Sequence, residues 1–176
     1  MVKFIVISLC VTIASNAIAQ ELDYEKLGDN LQIALPISAF TSTFIWKDHS
    51  ARAPGQFIQA MGTSFVITHS LKRLINKERP NGGEHSFPSG HTSAAFTGAA
   101  FIERKYGFQA GIPVYLLASY VGWSRVKANK HDYWDVIGGI LVGYGSAYIF
   151  TTPINKIKLG INNVGKRNSF SLHIKL

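Results

Sequence analysis

The chain runs Ser124-Arg125-Val126-Lys127-Ala128-Asn129-Lys130-His131-Asp132-Tyr133-Trp134-Asp135 between two strongly apolar segments. Charged and hydrogen-bonding groups are concentrated in this joint, which predicts a polar connection from the end of one packed helix to the start of the next. With a helix starting near His131, the i,i+4 spacing sets Asp135 on the same face, beside the imidazole. A carboxylate there holds one ring nitrogen protonated and leaves the other free to attack or to exchange protons. Arg125 adds a planar, permanently charged fork that suits a phosphate-like group.

Outward from this joint the chain alternates between apolar segments and polar connections. Asp132 to Ile154 and Ile112 to Ser124 are apolar, the former with Gly138, Gly139 and Gly143 for close packing. Ser89 to Lys105 reads as a helix of small residues, which lets neighbouring helices approach closely. Phe57 to Lys77 reads as a helix with a basic end, stopped by Arg79 before Pro80. In the uncharged stretch Leu31 to Trp46, Pro36 predicts a kink or a helix start. Residues 20–30, with Glu21, Asp23, Glu25 and Asp29, read as a polar lead-in. The tail, 155–176, is basic; Phe170 to Leu176 alternates like a short strand and reads as a surface tail or edge strand. No internal repeat, low-complexity stretch or linker interrupts the chain. The predicted fold class is all-α, a single helical bundle of about five to six helices.

Lys3, the apolar run Phe4 to Ser15 and the small-x-small triplet Ala17-Ile18-Ala19 predict an export signal over residues 1–19, leaving a domain of 20–176. The one cysteine, Cys10, falls inside that leader. Disulfides, cysteine catalysis and cysteine-held metals are thereby excluded from the exported domain. A formal net charge of +8 over 176 residues suits an anionic partner, such as phosphate esters or anionic lipid head groups. No basic run interleaved with aromatics is present, so nucleic acid is not expected as a partner.

Two further polar clusters stand at helix boundaries. Lys72 is followed, six residues on, by Arg79-Pro80, and Pro88-Ser89-Gly90-His91 opens the small-residue helix. Singly, Lys72 and Arg79 also fit a solvated helix end and Asp135 a cap. Together with Ser124-Arg125, His131 and Asp135, in order and at these spacings, the clusters resemble the signature of the type 2 phosphatidic acid phosphatase family. That family shares its fold with vanadium haloperoxidases and bacterial acid phosphatases.

The resemblance covers Lys72 to Asp135 and implies a metal-independent phosphatase without cofactors. His131 would attack phosphorus to give a phosphohistidine, oriented by Asp135. His91 would protonate the leaving group and then activate water. Lys72, Arg79, Arg125, Ser89 and Gly90 would hold the phosphoryl oxygens, the last two through unpaired N–H groups at a helix start. In an up-and-down bundle all three clusters meet at one end.

The substrate implied is a phosphomonoester or pyrophosphate of a membrane lipid. The alternatives are a periplasmic acid phosphatase for small soluble esters, a vanadate-dependent haloperoxidase, and a lipid-binding protein with a dead site. The expected location is the inner membrane with a periplasm-facing site, or the periplasm. The apolar segments are mostly shorter than the ~20 residues a spanning helix needs. His85 is placed beside the pocket or on the surface, His69 as a packed polar residue, and His49 and His173 receive no role. Trp123 and Trp134 are expected in the core, with a pocket wall or a membrane interface as alternatives.

Overall fold

The computed structural model describes residues 23–45, 52–154, 157–164 and 167–174. The expected leader at 1–19, with Cys10, lies outside the described residues. Five helices are described: α1 Tyr24–Ile45, α2 Ala53–Ile75, α3 Gly90–Tyr106, α4 Phe108–Lys127 and α5 Tyr133–Phe150.

The lead-in expected over 20–30 is helix from Tyr24 onward. Asp23 accepts from the N–H groups of Glu25 and Lys26, both at 3.1 Å, and so caps the first turn of α1. Pro36 neither starts nor ends this helix but lies within it. An interior proline costs about 3 kcal/mol. Here the buried face Leu31, Leu35 and Ala39 crosses the proline without a break and packs into the core, so burial outweighs that cost.

α2 begins on Pro54 in its first turn and ends at Asn76, whose left-handed φ of 42° returns its N–H to the carbonyl of Lys72. α3 is the central helix: Ala95, Ala99, Ala100 and Phe101 are buried completely or nearly so. Phe57 of α2 meets Phe101 edge to face at 5.1 Å. α5 lies so close to α3 that a Cβ on Gly143 would stand 2.5 Å from the carbonyl oxygen of Ser93. That contact is why the apolar segment after Asp132 carries glycine where a helix would otherwise favour alanine.

In the tail, β1 Ile157–Val164 pairs antiparallel with β2 Arg167–Ile174, Ile161 opposite Phe170. The expected strand is β2, begun three residues earlier. β1 was legible in the alternation of Ile157, Leu159 and Ile161.

Helix alternation gathers the N-terminal ends of α1, α3 and α5 and the C-terminal ends of α2 and α4 at one pole. The flanks between the poles are apolar and exposed, with Ile33, Ile37, Phe65, Val66, Leu116 and Leu141 among the large side chains left uncovered. No described helix is long and apolar enough to cross a membrane.

Candidate active site

His131 and Asp135 meet, but not as two residues on one helix face. α5 begins only at Tyr133, with Asp132 as its N-cap. Asp132 and Asp135 form a capping box: each side chain accepts the other's backbone N–H at 3.0 Å. His131 therefore precedes the helix, and its Nδ1 lies 3.5 Å from Oδ2 of Asp135. The hydroxyl of Ser86 fills the gap, donating to Asp135 Oδ2 while standing 3.3 Å from His131 Nδ1. Nδ1–H can thus donate to Ser86 Oγ, leaving Nε2 as the nitrogen with an available lone pair on the far side of the ring.

Both members of the pair are buried, His131 at 4% exposure and Asp135 at 0%. Burial alone would raise the Asp135 pKa. Hydrogen bonds from Lys77 and Ser86 outweigh it, and the carboxyl is held below the usual aspartate range. Lys77 Nζ reaches Asp135 Oδ1 at 2.9 Å and Asp132 Oδ2 at 2.5 Å. Burial, then Lys72 and Arg79, push His131 down to about 4 against the opposing pull of Asp135. The imidazole is therefore neutral near pH 7, the state a nucleophile requires.

Lys72 reaches this pole from the last turn of α2, and Arg79 from the connection between α2 and α3. Its backbone is closed on itself by Arg79 N–H to Gly83 O at 2.6 Å and Ser86 N–H to Lys77 O at 2.7 Å. Lys72 Nζ donates to the carbonyls of His85 and Ser86 at 2.7 and 3.2 Å. Arg79 Nε donates to Glu84 O at 3.1 Å. Burial and the neighbouring Arg79 lower Lys72 to about 8, with Asp135 opposing. His85, in a left-handed conformation, also lies against Lys72, with Nδ1 3.0 Å from its carbonyl.

Ser89 caps α3 and is fully buried. Its Oγ accepts from the Thr92 hydroxyl at 2.9 Å, and its N–H donates to the Asp135 carbonyl at 2.8 Å. The Ser89 N–H expected to face an anion is thus committed to the protein. Gly90 and His91 are the first-turn positions whose N–H groups have no intrahelical acceptor by position. His91 Nε2 lies 3.0 Å from Asp29 Oδ1.

Arg125, 1% exposed, donates from NH1 to Asp29 Oδ1 at 2.6 Å, from NH2 to Glu25 O at 2.7 Å and from Nε to Ser124 Oγ at 3.1 Å. Lys130 pairs with the Glu25 carboxylate. The first turns of α1 therefore belong to the site, which the sequence reading missed. Glu25 and Asp29 stand four residues apart on one helix face, the available signal.

Between them Gly28 allows the approach: a Cβ there would fall 2.1 Å from Ser124 Oγ and 2.7 Å from Arg125 NH2. Gly28→Ala is expected to displace the guanidinium. Stability should fall by about 1–3 kcal/mol, as for other overpacked sites. Inhibition by inorganic phosphate should weaken in parallel. Urea unfolding and a phosphate inhibition constant check both, and a parent-like constant would show that Arg125 tolerates the shift.

The remaining expectations divide. His69 is exposed and stacks on Phe65, ring centroids 3.9 Å apart. Trp123 and Trp134 are 50% and 70% exposed, so core packing is overturned for both. They sit at helix ends, where the bundle has no outer layer to cover them. His49 lies outside the described residues, and only the backbone of His173, in β2, is described. Among the described residues no three His, Cys, Asp or Glu side chains converge as a metal-binding group.

Residues 34–158 match the sequence pattern of the PAP2 superfamily. The chain is 32% identical over 142 residues to the lipid A 4'-phosphatase of Helicobacter pylori, a match covering 73% of this chain and 69% of that protein. It is 30% identical over 107 residues to a lipid A 1-phosphatase of the same species, covering 56% of each. The crystal structure of Aquifex aeolicus LpxE superposes with a TM-score of 0.61 over 81% of this chain and 92% of that one. At 23% identity this last likeness bears on the fold alone.

Proposed function

The chain belongs to the PAP2 superfamily, and from that premise we propose that it hydrolyses a phosphomonoester of a membrane lipid through a phosphohistidine. One observation carries the mechanism: a buried, neutral His131, backed through Ser86 by an ionised Asp135, beside Lys72 and Arg79.

His131 Nε2 attacks phosphorus and the P–O bond to the lipid breaks, the leaving oxygen taking a proton from His91. Water then attacks the phosphohistidine, His91 takes a proton from it, and the P–N bond breaks to release inorganic phosphate. Lys72, Arg79, Arg125 and the N–H groups of Gly90 and His91 offset charge on the phosphoryl oxygens. Ser89 serves indirectly, by capping the helix that presents those groups. The charge stabilisation a metal would supply comes here from side-chain cations and a helix start.

Two features support a lipid over a small ester. The flanks below the site expose large apolar side chains, and Trp123, Tyr133 and Trp134 stand uncovered at the same pole, near the end of α4 and the start of α5. Amphipathic rings of this kind favour the membrane–water boundary. The relatives named for lipid A dephosphorylation make a lipid A phosphate the first substrate to test. Association with a membrane, site at the interface, goes with this proposal.

The test is phosphate release by purified protein in EDTA from lipid A, short-chain phosphatidate and p-nitrophenyl phosphate, side by side. Preference for the lipids, unaffected by EDTA, is expected. Equal or better turnover of p-nitrophenyl phosphate would move the protein to soluble esters, and no release from any would overturn the phosphatase assignment.

A further inference from the structure

Among the described residues two carboxylate–imidazole pairs at this pole close to 3.5 Å or less, and only the pair His131–Asp135 belongs to the motif clusters. The second is His91 with Asp29, a residue 62 positions earlier on a different helix. One oxygen, Oδ1 of Asp29, serves two partners: Arg125 NH1 at 2.6 Å and His91 Nε2 at 3.0 Å.

We propose that Asp29 is a positioning residue of the same reaction, locking the His91 ring and the Arg125 guanidinium to each other across α1, α3 and α4. The proposal rests on the phosphatase assignment above. Arg125 is sealed in, whereas the side chains of His91 and Asp29 are 35% and 43% exposed. The shared oxygen therefore stands at the border between the protein and the open mouth of the site. There it sets the angle of the proton donor relative to a fixed cation. A ring held from one side by a carboxylate loses the rotational freedom that would carry it off the leaving oxygen.

The charges around His91 give Asp29 a second consequence. Arg125 and Lys130 face it from α4 and the following connection, Lys72 approaches from α2 beside Gly90, and Glu25 and Asp29 face it from α1. Burial and Arg125 lower the pKa of His91, and Asp29 opposes them. A general acid is active only while protonated, so activity falls as pH rises through the His91 pKa. Removing the Asp29 charge lowers that pKa further and moves the fall to lower pH.

The experiment uses Asp29→Asn, which keeps shape and removes charge. The alkaline limb of kcat/KM is expected to move down by about one pH unit. Asp29→Glu is expected to restore most of the shift. A histidine NMR titration of the substrate-free protein should show the same downward movement for His91. Asp29→Ser, with the same expectations, replaces Asn if that variant does not fold.

An unmoved His91 titration overturns the proposal, as does an unmoved limb with lowered KM, since Asp29 would then merely occupy the anion site. The two assignments fail separately. A parent that releases phosphate while Asp29→Asn keeps its pH profile defeats this proposal alone. A parent inactive on every ester defeats the phosphatase assignment, and the NMR titration still reports whether Asp29 governs His91.

Discussion

His131→Ala is expected to lower kcat by roughly four orders of magnitude or more, the scale at which removal of a nucleophile acts. The residue has no understudy. Of the other histidines described at this pole, His91 turns its Nε2 to Asp29 on the α1 side of the site, and His85 lies with its Nδ1 against the Lys72 carbonyl. The variant should keep its helical content, because His131 lies in the connection before α5 and the capping box of Asp132 and Asp135 does not need it. Quenching in alkaline detergent during turnover should trap a base-stable, acid-labile phosphoenzyme in the parent and none in the variant. Residual turnover above about 1% would remove His131 from the nucleophile's role, since a nucleophile's loss leaves far less.

The same substitution has a signature in stability. His131 has a folded pKa of about 4, below its unfolded value near 6.5. Between those values the unfolded chain binds the extra proton, so the parent loses stability as pH falls through this window. The loss is on the order of 3 kcal/mol. His131→Ala should flatten the pH dependence of the urea midpoint there.

How far the site is legible from sequence depends on how far apart its parts lie along the chain. Arg125, His131 and Asp135 fall within one joint, and helix alternation is enough to bring Lys72, Arg79 and the Ser89-Gly90-His91 start to the same pole. The partners of these residues are harder to see. Asp29 and Arg125 are 96 positions apart, and the need for glycine at position 28 shows only in the packing of α1 on α4. Ser86 sits in a loop whose composition signals only a turn, yet its hydroxyl joins His131 to Asp135.

The errors have the same origin. Of the kink or helix start expected at Pro36, the helix start is overruled, burial on both sides of the proline carrying the helix through it. The i,i+4 spacing of His131 and Asp135 suggests a shared helix face, whereas a loop residue and a capping-box residue meet through a third side chain. Trp123 and Trp134 are apolar enough for a core that, at a helix end, does not extend to them.

Asp135→Asn is expected to lower kcat by about four orders of magnitude, the loss seen when a carboxylate orienting a catalytic histidine becomes an amide. The carboxylate accepts from Lys77 at Oδ1, and from Ser86 and the Asp132 N–H at Oδ2. An amide in that space turns an NH2 toward one of these donors. Ser86 then loses its acceptor or His131 loses the tautomer that frees Nε2.

Stability should fall as well. Lys77 would lose its fully buried partner, about 3 kcal/mol, the lower end of the range for broken buried pairs because its side chain is 32% exposed. The pH dependence carries the sign. The folded pKa of Asp135 is depressed, so its contribution is present above the unfolded value near 3.9 and lost as pH falls through the folded value. The folded pKa of Lys77 is raised, hydrogen bonds to Asp132 and Asp135 outweighing burial, so its share is present up to about 10.4 and lost above that. The gap in urea midpoint between parent and Asp135→Asn should be widest near pH 7 and close toward pH 2. A gap that persists undiminished in acid would locate the loss in packing and take Asp135 out of the charge network that serves His131.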